Sequence, residues 1–129
     1  MKTTLLAALS AAAATSLAWA ASPAPTEGFT CQVGVFSPAE RKRQHELADK
    51  VKAAVTSHQE TAAGYAFRID PARVSIRELG EFVEGEHRCC PFFDLQLEIE
   101  PRAGGTWLRL GGAEGVKAFI RDELGLHAG

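Results

Sequence analysis

From residue 93 the chain alternates cleanly. Phe93, Leu95, Leu97 and Ile99 are apolar, while Asp94, Gln96, Glu98 and Glu100 are polar. A period of two is that of a strand with one buried and one wet face. Residues 101–105 then supply a short turn, and Leu108 and Leu110 mark a hairpin partner. The same period at Cys31, Val33 and Val35 predicts a first strand, and at residues 65–69, with Phe67 inward, a second one that Asp70 and Pro71 end. Between these runs the period changes to that of a helix. Ser37, Pro38 and Glu40 make a capping box with proline in the first helical position, followed by a stripe of Leu47, Ala48, Val51, Ala54 and Val55. Ser75 and Glu78 repeat the box ahead of Ile76, Leu79, Phe82 and Val83, and Pro91 stops that helix. Val116, Phe119, Ile120 and Leu124 line a last helix closed by Gly125.

The order read from these patterns is β-α-β-α-β-β-α. Half-buried strands and one-sided helices are satisfied together by a two-layer α+β sandwich, with a four-stranded sheet carrying its helices on one face. Parallel pairing of the first two strands through a right-handed crossover would bring the end of the second helix back to the start of the first strand.

The first 20 residues carry a different pattern: Lys2, an apolar alanine-rich run over 5–17, and small residues around Trp19. This is a cleavable export signal, too short and too uniformly apolar to be a spanning or amphipathic helix. The expected divisions are a signal peptide at 1–20, a polar leader at 21–27, a single domain at 28–125 and a frayed tail at 126–129. The expected location is the periplasm or the exterior, with no membrane attachment after cleavage. The 14 basic and 16 acidic residues, less Lys2, leave a charge near −3 with no basic stripe, which argues against nucleic acid as a partner. Nothing in the chain names a protein partner.

Chemistry concentrates on three cysteines, Cys31, Cys89 and Cys90. A bond between the neighbours 89 and 90 closes a strained ring, so Cys31 is the natural partner of one of them, and one thiol remains. On the second helix Leu79, Val83, Glu86 and Cys90 share one side, which turns Glu86 inward beside a thiol that it could deprotonate or hold. His87 and Cys89 flank that side. A plain ion pair of Glu86 with Arg88 or Arg77 is the alternative. Three uses of the sulfurs stay open. One is a structural disulfide, the default in an oxidising compartment. The second is a soft-metal site for copper, mercury, arsenic or zinc, with Cys31, Cys89, Cys90 and His87 as ligands. The third is thiol–disulfide exchange with Glu86 and Cys90 as the catalytic pair, disfavoured by the helix C-terminus, whose dipole raises a thiol's pKa. His45, His58 and His127 are dispersed and read as surface residues. Gly111, Gly112 and Gly115 read as a turn and helix start, and Trp107 beside Arg109 as an exposed sheet face that could meet a partner.

The segments TCQVGVFSPAER, GYAFRI, EHRCCPFFDLQLEIEP and TWLRLGGAEGVKAFI together resemble a family of short uncharacterised bacterial proteins marked by Glu-x-x-Cys-Cys-Pro-Phe. The resemblance implies fold-wide homology and maps the motif onto Glu86, Cys89, Cys90 and Pro91, with Cys31. Members of that family mostly lack signal peptides, and cysteines kept in a reducing cytosol point to metal or redox use. This chain departs in being exported and in carrying His87 where arginine is usual. The expectation from the sequence is an exported three-cysteine protein that binds or sequesters a soft metal ion, with Glu86 setting thiol protonation. A thiol–disulfide oxidoreductase is the alternative.

Overall fold

The computed structural model describes residues 28–102 and 104–126. The expected signal peptide at 1–20, the expected leader at 21–27 and His127 lie outside them. Helix α1 (Pro38–Ala54) starts at the first capping box: Ser37 Oγ accepts from the Glu40 amide, and Glu40 Oε2 accepts from the Ser37 amide at 2.8 Å. Helix α2 (Ile76–Cys89) repeats the device with Ser75 and Glu78. Each box satisfies amides that have no partner inside the helix. The Ser37 amide, with Arg88 behind it, holds the Glu40 carboxyl at a pKa of about 2; Lys50, with the Ser75 amide, does the same for Glu78.

Four strands, β1 (Val55–Glu60), β2 (Gly64–Ile69), β3 (Asp94–Ile99) and β4 (Thr106–Gly111), form one antiparallel sheet in the order β1-β2-β4-β3. It is built from two hairpins joined through β2 and β4, with Phe67 opposite Leu108 and Leu97 opposite Leu108 on its other side. Tyr65, Phe67, Ile69 and Leu108 face Leu47 and Val51 of α1, Leu79 and Phe82 of α2, and Ile120 of α3 (Val116–Leu124), in one core. The opposite face carries Arg68, Trp107, Arg109 and Glu98. Arg68 stacks over the Trp107 ring, and Arg109 pairs with Glu98 at 3.0 Å. The molecule is therefore an α+β sandwich, its sheet apolar on the helix side and polar on the other.

The first strand expected at residues 31–35 does not form. Val33–Val35 is a single 3-10 turn, and Val33 and Val35 are 50% and 40% exposed. Their alternation has no second strand to pair with. The backbone is tied instead to α2, where the Gln32 amide donates to the Cys89 carbonyl at 2.7 Å and Arg88 donates to the Val35 carbonyl at 3.1 Å. The fourth strand is β1, whose first residue, Val55, the sequence reading placed at the end of the helical stripe. All its later residues are exposed, as suits a sheet edge, so it shows no apolar alternation to read. The expected parallel crossover is replaced by antiparallel pairing throughout. Leu126, expected in a frayed tail, packs on the core, because left-handed Gly125 turns the chain back and the Leu126 amide donates to the Arg121 carbonyl at 2.9 Å. Among the described residues no helix is long and apolar enough to cross a membrane.

Candidate functional site

Cysteine chemistry gathers where the segment before α1 meets the end of α2. Cys31 is bonded to Cys90, with their Cα atoms 4.5 Å apart, and Cys89 keeps a free, buried thiol. The sulfur atoms of all three lie within 4.8 Å of one another. Two neighbouring cysteines can converge on one partner because α2 ends between them: Cys89 is its last residue, and Cys90 leaves helical geometry as the cap. Phe36 closes the cluster from outside, packed against Cys89 and Cys90. Arg88 lies over the Phe36 ring at 5.0 Å and also pairs with Glu40 at 3.0 Å, fastening the segment to α1.

Glu86 points into the site as its place on the helix requires. Its Oε2 stands 3.6 Å from Cys90 Sγ, and its Oε1 accepts from Gln44 Nε2 at 2.9 Å. An ion pair with Arg88 or Arg77 is not what satisfies it; Arg88 is spent on Glu40 and Val35, and Arg77 is exposed. Gln44 is the partner that the sequence reading missed. Its signal is its position, since Gln44 lies three and four residues ahead of Leu47 and Ala48, a polar residue in line with an apolar stripe. Gly85 makes the contact possible, because a Cβ there would collide with the Gln44 side chain. His87, expected as a further metal ligand, is exposed and stands outside the sulfur cluster, on the solvent side of the helix's last turn.

Burial raises the Glu86 pKa, against the opposing pull of the Gln44 hydrogen bond and the more distant Lys52. Burial also raises that of the Cys89 thiol, and the Glu86 charge adds to it. Both groups are thereby biased to the protonated form. For a carboxylic acid raised above its unfolded value, the stabilising effect is complete at low pH and is lost as pH rises through the folded pKa. Glu86→Gln, which mimics the neutral acid, is accordingly expected to melt higher than the wild type at about pH 8 and to match it near pH 4, where the acid is itself neutral. Melting curves at the two pH values check this, and a lower melting point at the higher pH would show that the charged form is the one the site holds.

No family model matches this chain, and no curated protein or solved structure matches it either.

Two cavities share Cys31 and Glu86 as a common wall. One, of about 230 Å³, opens beside Gln44, His45, Arg41 and the cysteines. The other, of about 280 Å³, runs between helices and sheet and is walled mainly by apolar side chains, Val51, Phe67, Phe82, Leu108 and Phe119 among them. Exposed Lys52 and Glu123 line it too. His45 and His58 are exposed, as read from sequence, and left-handed Gly115 opens α3 without any side-chain cap. The cluster offers only sulfur and one neighbouring carboxyl, a donor set suited to soft cations once the Cys31–Cys90 bond is reduced.

Proposed function

We propose that this chain is an exported thiol protein that, in its reduced state, takes up a soft thiophilic ion through Cys31, Cys89 and Cys90. The observation that carries the reading is the convergence of three sulfur atoms within 4.8 Å of one another. Thiolates that share one ion at about 2.3 Å stand roughly 4 Å apart, so rotamer changes alone would bring these three to bonding distance. Entry to that state needs a two-electron reduction of the Cys31–Cys90 bond by a dithiol, small or protein-borne. Binding then releases thiol protons, and Glu86 is the nearest group to receive one, through the oxygen that faces Cys90. Gln44 holds the carboxyl in place from its other oxygen. Oxidation closes the site again, leaving a plain crosslink. The resemblance to cytosolic Glu-x-x-Cys-Cys-Pro-Phe proteins favours the same use of the sulfurs.

Arsenite, a three-thiol probe, tests the reading. One equivalent is expected to bind the reduced protein and raise its melting temperature, by about 2.7 kcal/mol of stabilisation at a hundredfold excess over Kd. Oxidised protein and Cys31→Ala should not respond. Unchanged melting of the reduced wild type would remove the proposal.

A second reading is thiol–disulfide exchange, favoured by the free Cys89 thiol standing beside the Cys31–Cys90 bond. Its raised pKa weakens it as the attacking group near neutrality. Catalysed reduction of a small disulfide by the wild type and not by Cys90→Ala would favour this second reading. Silence in both assays, with one titratable thiol, leaves a structural disulfide.

A further inference from the structure

The sulfur site and the apolar cavity are not separate features. Cys31 lines both the cavity of about 280 Å³ and the smaller one that also holds Cys89 and Cys90, as do Glu86 from α2 and Ala48 and Lys52 from α1. A purely inorganic ion would need the sulfurs and nothing else. A chamber of this size beside them is large enough for a phenyl-sized group, and apolar walls of this kind favour such a group over water. Phe67, Phe82, Phe93 and Phe119 line it, which suits an aromatic ring better than a branched aliphatic one.

From this juxtaposition we infer that the site takes organic compounds of trivalent arsenic, an aryl group entering the apolar cavity while arsenic is held by sulfur at its Cys31 end. The inference rests on the thiol-binding reading above and narrows its ligand class. The balanced step begins with the bond between Cys31 and Cys90 reduced to two thiols by a dithiol, which becomes the disulfide. The two thiols then condense with an arylarsonous acid, R–As(OH)2. Two As–S bonds form, two As–O bonds break, and two waters leave carrying the thiol protons. Arsenic remains trivalent throughout. Two sulfurs suffice for such a ligand, and the Cys89 thiol can only exchange with one of them, its proton passing to the sulfur it displaces.

The experiment compares phenylarsonous and methylarsonous acid, which make the same two bonds to sulfur and differ in the organic group. Kd values are measured on the reduced full-length protein by competition, with dithiothreitol as the reference for the intrinsic preference of two thiols. The protein is expected to prefer phenyl over methyl at least tenfold more than dithiothreitol does. Filling the cavity with Leu124→Phe or, independently, Val55→Phe, which line it and not the smaller cavity at the sulfurs, should abolish that extra preference while leaving methylarsonous acid bound. Two variants on different elements guard against one that fails to fold. If methylarsonous acid and arsenite bind but the extra phenyl preference is missing, or survives both filled variants, the inference is overturned and the thiol-binding reading stands. If none of the three arsenicals binds the reduced wild type, both fall together.

Discussion

Reducing the Cys31–Cys90 bond, or replacing Cys31 by alanine, is expected to destabilise the protein by roughly 4 kcal/mol, a loss of about 15–30 °C in melting temperature for a domain of this size. The bond joins residues 59 apart in sequence, so breaking it returns a long loop's worth of freedom to the unfolded chain. Besides the bond, the segment before α1 is held by the Gln32 amide on the Cys89 carbonyl, the Arg88 clamp on Val35, Arg41 on the Val33 carbonyl, Phe36 buried against Cys89 and Cys90, and Phe29, whose ring meets Phe92 at 5.1 Å. Calorimetry with and without reductant measures the effect. Cys89→Ala is the control, because it removes a buried thiol and leaves the crosslink intact; its melting point should fall far less. A loss below about 1 kcal/mol on reduction would mean that the remaining ties already order the segment in the unbonded protein. The size of the loss also bears on function. A domain with a total stability of about 5–15 kcal/mol is left marginal once reduced, and an ion that bridges the same sulfurs would restore part of what the bond supplied.

Leu79→Ala is expected to cost about 2–5 kcal/mol. Leu79 is fully buried on the face of α2 that meets the sheet, one turn into the helix and two turns before Glu86. Shortening it removes apolar contact and leaves a void that close-packed neighbours fill only in part. The urea midpoint should drop at constant slope, since the surface exposed on unfolding is nearly unchanged. Ile76, three residues earlier and 48% exposed, provides the contrast, and Ile76→Ala should shift the midpoint only slightly. Equal losses at the two positions would show that α2 is held by something other than this packed face. Because Leu79 touches no sulfur, the variant also separates stability from chemistry: thiol titre and arsenical affinity should persist wherever it remains folded.

Much of the candidate site was legible along the chain. The placement of Glu86 on the inner side of its helix, one turn before Cys90, follows from helical spacing, and the pairing of Cys31 with one of two adjacent cysteines follows from the strain of a bond between neighbours. What spacing could not choose was Cys90 over Cys89, because that depends on how the helix ends and on which sulfur its last residues aim at the incoming segment. Gln44 was missed because it is distant in sequence and is brought to Glu86 by the close approach of α1 to α2 over Gly85. His87 was over-read. Helical spacing placed it flanking the inner side, and there its side chain is exposed and outside the sulfur cluster.

The helices and the strands β2, β3 and β4, as elements, were determined locally. Capping boxes, proline, left-handed glycine and alternating side chains all act within a few residues, and each carries its own energetic preference. Strand partners and the fate of residues 31–35 were decided only by the tertiary structure. An alternating apolar pattern states that a face wants burial, and it does not state what will cover it. Val55–Glu60 became the fourth strand because it follows α1 directly and turns back onto β2 as a hairpin, a short-range closure. The segment at Cys31 was left to be held by a covalent bond, a few polar ties and the rings of Phe29 and Phe36. The two cavities that meet at Cys31 belong to the same level, since the larger is walled by all three helices and the sheet, the smaller by α1, α2 and the segment at Cys31, and both exist only when these pack.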